Sequence, residues 1–164
     1  MKKLIAAFCF SLVILLAIAP PAAQAGSKRL WPDQFTLSNV YHGSLAKSFE
    51  AASRSFYSLG AYDNTYPVTY DAEVKLPVGT KITKFAISGY SPVGARFITT
   101  LYRQRLGGGT EEIAIVDLSD WNPDDWYNAP KILLPWVKAG YRYWVQVHIM
   151  SSGAEVRGVK VSYE

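Results

Sequence analysis

Strict two-residue alternation is the feature that most constrains this chain. Tyr70, Ala72, Val74 and Leu76 alternate with Asp71, Glu73 and Lys75. Further on, Tyr141, Tyr143, Val145, Val147 and Ile149 alternate with Arg142, Trp144, Gln146 and His148. Successive side chains of a strand point to opposite faces, so this pattern describes strands buried on one face and wet on the other. A helix would scatter the same apolar residues around its axis. Turn signals punctuate the pattern at Pro77-Val78-Gly79, Ser91-Pro92-Val93-Gly94 and Gly107-Gly108-Gly109.

Strands are therefore expected over 68–76, 81–90, 95–103, 111–118, 141–149 and 159–163. A looser one covers 35–41, and a short one covers 132–137, where Pro135 suits an edge. Residues 119–130 read as a long polar loop and 26–34 as an N-terminal arm. Leu45, Phe49, Ala52 and Phe56 fall at helical spacing behind Ser44, yet 54–59 also reads as a strand, so a short helix near 44–57 stays open. Seven to eight short strands with turns about every ten residues predict an all-β antiparallel sandwich, jelly-roll-like. No helix pattern separates the strands after residue 68, which argues against a parallel α/β fold.

Residues 1–25 carry a different pattern. Lys2 and Lys3 head an apolar run from Leu4 to Ala19, Pro20 and Pro21 end it, and Ala23-Gln24-Ala25 supplies a small-x-small cleavage site. That order predicts a signal peptide over 1–25 and one β-sandwich domain over 26–164, exported to the periplasm or beyond the cell. The apolar run is shorter than the roughly 20 residues a membrane span needs, so no span is expected after cleavage. Export also revises the charge. The whole chain of 164 residues carries a formal +4, but without Lys2 and Lys3 fifteen basic residues face thirteen acidic ones. So small an excess gives no argument for nucleic acid. The single cysteine, Cys9, leaves with the signal, which excludes an internal disulfide, thiol catalysis and cysteine metal sites.

The segments Leu76-Pro77-Val78-Gly79, Leu101-Tyr102-Arg103, Tyr141-Arg142-Tyr143 and Gly158-Val159-Lys160-Val161-Ser162-Tyr163 follow one another in that order. Over about residues 68–164 the chain resembles a loose group of exported bacterial β-sandwich proteins, jelly-roll-like and of unknown function. The resemblance implies the sandwich and export, and it carries no catalytic residues.

Two constellations invite a functional reading. In the acidic loop Asp117, Asp120, Asn122, Asp124 and Asp125 offer oxygen ligands that suit Ca²⁺. The EF-hand pattern fails, because Asp125 stands where glycine is required and Lys131 where a bidentate glutamate is required. The alternate spacing of Asp120, Asn122 and Asp124 is a single match, so the bland alternative, a polar loop with Asx turns and a Trp folded onto the sandwich edge, has more support, and no other cofactor is implied. The second constellation is aromatic. Trp144 is expected to face outward with Arg142, Gln146 and His148, and Trp121, Trp126 and Tyr127 form a further patch in the loop. Large amphipathic rings beside polar groups suit sugar or protein ligands, although strands favour aromatics for packing as well.

Catalysis finds little support. Gly89-Tyr90-Ser91-Pro92-Val93-Gly94 misses the nucleophile elbow and has the wrong strand–turn–strand setting. His42 and His148 are far apart with no partner set. Glu111 and Glu112 are adjacent, so a strand sends them to opposite faces. The expectation is an exported binding or interaction module, for a glycan or a surface protein, without evident catalytic activity. The alternative is a structural subunit of an envelope or extracellular assembly, joined through sheet edges.

Overall fold

The computed structural model describes residues 25–38, 52–54, 59–61, 67–121 and 126–164. Of the expected signal peptide, residues 1–24 lie outside the described residues. Among the described residues no helix is long and apolar enough to cross a membrane.

The fold is all-β and antiparallel, a sandwich of two sheets joined by one long strand. Its strands are β1 (Gly26–Leu30), β2 (Thr36–Ser38), β3 (Ala52–Arg54), β4 (Leu59–Ala61), β5 (Val68–Glu73), β6 (Ile82–Arg105), β7 (Thr110–Trp121), β8 (Trp126–Asn128), β9 (Tyr141–Ile149) and β10 (Glu155–Tyr163). The first half of β6 pairs with β10 and β8, and β10 also pairs with β1 and β4. We call this the first sheet. The second half of β6 pairs with β9 and β7, and the second sheet continues through β9, β5 and β2.

Ten strands are described where seven to eight were expected, for identifiable reasons. Ser91-Pro92-Val93-Gly94 does not reverse the chain. Ser91 faces Trp121 and Arg96 faces Ser119, so residues 92–95 form a wide bulge inside β6. Gly94 takes φ +81° there, and the Ser91 hydroxyl donates to the Ala95 carbonyl at 2.8 Å across the bulge. Bulges bend strands, and this one lets β6 serve both sheets. The N-terminal arm is a strand because β10 offers it a free edge, where Leu30 turns inward opposite Val159. The supposed 119–130 loop holds the end of β7 and all of β8. Residues 132–137 instead run as an extended strap, fixed by Leu133 N–H to Ile113 O, Ile82 N–H to Pro135 O and Val137 N–H to Thr80 O. Ala52–Arg54 is a strand, and the rest of the proposed 44–57 helix lies outside the described residues.

The core fills the space between the sheets. Phe85 and Ile87 from the first sheet meet Phe97, Leu101, Val145, Val147 and Ile149 from the second. Each such side chain contributes roughly 1.5–3 kcal/mol of burial. Tyr70 is also buried, and its hydroxyl donates to the Gly60 carbonyl at 2.9 Å. At one end Arg103 closes the core. It is 4% exposed, bonds Glu111 at 2.8 Å and lies 4.9 Å over the Tyr141 ring.

Candidate functional site

Register decides which side chains share the outer face of the second sheet. Along β9 the odd residues Tyr143, Val145, Val147 and Ile149 are buried, while Arg142, Trp144, Gln146 and His148 look away from the core. Pairing with β6 brings Trp144 opposite Tyr102 and Arg142 opposite Gln104. Pairing with β5 brings Gln146 opposite Asp71 and Trp144 opposite Glu73. On the other side of β6, Glu112 stands opposite Tyr102 and Thr110 opposite Gln104.

These rows form a candidate site. The rings of Trp144 and Tyr102 stack with centroids 5.4 Å apart and planes 27° from parallel. An open cleft of about 440 Å³ lies over them, lined also by Asp71, Gln104, Thr110, Arg142 and Gln146. Two of the polar groups are held in place. Gln146 Nε2 donates to Asp71 Oδ1 at 3.1 Å, and Gln104 Nε2 donates to the Gly108 carbonyl at 3.0 Å. Arg142 has no ion-pair partner among the described residues.

The other expected site residues separate from this face or from each other. His148 lies on it, beyond Gln146, with Nδ1 2.9 Å from the Thr69 hydroxyl, but it does not line the cleft. Trp121 and Tyr127 turn toward the core, ring edge to ring face at 4.9 Å. Trp126 points the opposite way from Tyr127, to the outer face of the first sheet. Among the proposed calcium ligands, Asp117 bonds the Arg96 guanidinium through both oxygens. That bond, with the charge of Arg96, holds the Asp117 carboxyl below its ordinary range against the opposing effect of partial burial. Asp120 is the last residue but one of β7, and Asn122, Asp124 and Asp125 lie outside the described residues. Among the described residues no three His, Cys, Asp or Glu gather as a metal would require. Glu111 and Glu112 take opposite faces, the first beside Arg103 and the second beside Tyr102.

Tyr102, Asp71, Gln104 and Thr110 were not expected at the site. Alternation alone places Tyr102 and Gln104 on one face of their strand. What the sequence hides is that β6 lies beside β9, which sets Tyr102 against Trp144.

No family model and no curated protein matches the chain. A solved structure described as TmCBM61 in complex with beta-1,4-galactotriose aligns with TM-score 0.39 and 16% identity, over 84% of this chain and 85% of that one. A likeness this distant carries no functional argument.

Proposed function

We propose that the protein is an exported binding module for neutral glycans, with the Trp144–Tyr102 stack as its platform. The observation that carries this reading is the cleft itself, where two stacked rings are surrounded by two amides, a carboxylate, a hydroxyl and a guanidinium. The apolar C–H face of a sugar ring packs on an aromatic ring, and its hydroxyls need donors and acceptors at the rim. Amides and hydroxyls supply both, Asp71 accepts, and Arg142 donates. The volume falls within the range usual for small-ligand sites, roughly 300–1,000 Å³.

Charge favours neutral over anionic sugars on this face. Asp71, Glu73 and Glu112 share it with Arg142. The three-part pattern of residues 1–25 supports export. The test is calorimetry and tryptophan fluorescence against a panel of neutral oligosaccharides and soluble polysaccharides. Binding by the protein, lost in Trp144→Ala, is the expected result. No heat and no spectral shift with any neutral glycan would overturn the reading.

A further inference from the structure

The opposite face of the sandwich differs in charge and also carries tryptophan. On the first sheet Gly158 of β10 pairs with Ser88 of β6, which pairs with Trp126 of β8. A β-carbon built on Gly158 would touch Trp126 at 3.4 Å and Trp31 at 3.6 Å. The two indoles therefore lie over bare backbone, and Trp31 is 48% exposed. One alternation step along β10 from Gly158 is Lys160, paired with Arg29 of β1. One step further is Ser162, paired with Lys84 of β6. Leu30, Phe85, Val159 and Val161 are buried on the inner side, which puts Arg29, Lys84 and Lys160 on the outer one. None of these three cations has an ion-pair partner among the described residues. Arg157, near the indoles, is already paired with Glu155 at 3.6 Å.

We infer that this face is a second binding site, for an acidic polysaccharide. The indoles provide stacking surface for sugar rings. Arg29, Lys160 and Lys84 sit on three neighbouring strands and form a positive array along one side of the indoles. Neighbouring strands lie about 4.8 Å apart and like-facing residues of one strand about 6.8 Å apart, so the array suits a polymer with repeated negative charges. Hydroxyls and an amide lie among the cations, from Ser88, Ser162 and Asn128. Such groups match sugar hydroxyls, whereas a face that enters a membrane surrounds its indoles with aliphatic side chains. The charge contrast between the two faces separates their ligands, because the acidic residues beside Trp144 repel what the Lys160 face attracts. With both sites occupied, the protein links a neutral glycan to an anionic one.

The test is affinity electrophoresis of the purified protein through gels containing polygalacturonate or dextran sulfate, repeated with added salt. Phosphatidylglycerol vesicles and an oligothymidylate serve as the competing anions. Retention by at least one acidic polysaccharide is expected. It weakens as salt screens the cations, and falls at least tenfold in Trp31→Ala and in Lys160→Gln, with melting temperatures kept near that of the parent. Trp144→Ala keeps full retention. Absence of retention in both polysaccharides overturns the inference, as does binding confined to vesicles or to oligothymidylate. Retention that survives Trp31→Ala and Lys160→Gln, or vanishes in Trp144→Ala, overturns it too, by locating the site elsewhere. Because the neutral-glycan reading rests on Trp144, either site can fail without the other.

Discussion

Trp144 and Tyr102 face one another across β9 and β6, and their rings stack at 5.4 Å. Both side chains stand on the wet side of the sheet, so their removal leaves the core intact. An aromatic pair of this kind is worth about 0.5–1.5 kcal/mol beyond area burial. Trp144→Ala should therefore lower the unfolding free energy only modestly while weakening neutral-glycan binding by about tenfold or more, equivalent to about 1.4 kcal/mol. Tyr102→Ala should weaken it in the same direction. Chemical denaturation and calorimetry on the same samples check this. Unchanged glycan affinity in both variants would remove the platform.

Arg103 and Glu111 make an asymmetric pair. The guanidinium is 4% exposed, while the Glu111 side chain is 45% exposed. Burial works against the charge on Arg103, but the Glu111 bond and the nearby tyrosines outweigh it and leave its pKa raised. Stranding a buried cation costs more than replacing it with an apolar side chain of similar length. Glu111→Gln should thus lower the melting temperature more than Arg103→Met does. The reverse order would show that Arg103 acts mainly through the Tyr141 ring and the Trp136 carbonyl, to which its Nη1 donates at 3.5 Å, not through Glu111.

Acid should expose the same pairs. The Arg103 bond holds the Glu111 carboxyl below its ordinary range, and the Arg96 bond does so for Asp117. A carboxyl with a depressed folded-state pKa contributes its full stability above its unfolded value, about 4, and loses it as the pH falls through the folded one. The melting temperature should consequently decline below about pH 4. Asp117→Asn should lie below the parent at neutral pH and converge with it in acid. Parallel curves at all pH values would exclude the Asp117–Arg96 bond as a cause of acid sensitivity.

The sandwich was legible because alternation is a local property. Tyr141 to Ile149 alone announces which residues face the core, and the structure buries Tyr143, Val145, Val147 and Ile149 accordingly. The outward position of Trp144 with Arg142 and Gln146 follows from the same pattern. Strand neighbours are not local, and that is where reading the chain ran out. Nothing in Leu101-Tyr102-Arg103 says that Tyr102 will stand opposite Trp144, and nothing in Trp126-Tyr127 says that this stretch will pair as a strand, which sends the two rings to opposite sides of its sheet. The bulge at 92–95 misled for a related reason. Pro92 and Gly94 are turn residues by chemistry, but whether the chain reverses or only bends depends on the strands that receive it.

Gly89 gives the sharpest test of the close packing beside that bend. A β-carbon there would lie 2.3 Å from the Glu155 carbonyl oxygen and 3.3 Å from the Phe97 ring. The oxygen belongs to the backbone of β10, which is tied to β6 and β4 at that point, so it cannot move aside as a side chain would. Gly158 differs, since its nearest neighbours are indole rings at ordinary contact distance. Overpacking a tight site typically costs 1–3 kcal/mol, and a clash with fixed backbone belongs at or above the top of that range. Gly89→Ala should accordingly destabilise the protein by about 3 kcal/mol or prevent its folding, whereas Gly158→Ala should cost about 1 kcal/mol or less. Urea unfolding of the two variants beside the parent measures both. A Gly89→Ala protein as stable as the parent would mean that β6 and β10 do not approach at Gly89 and Glu155 as closely as the structure places them.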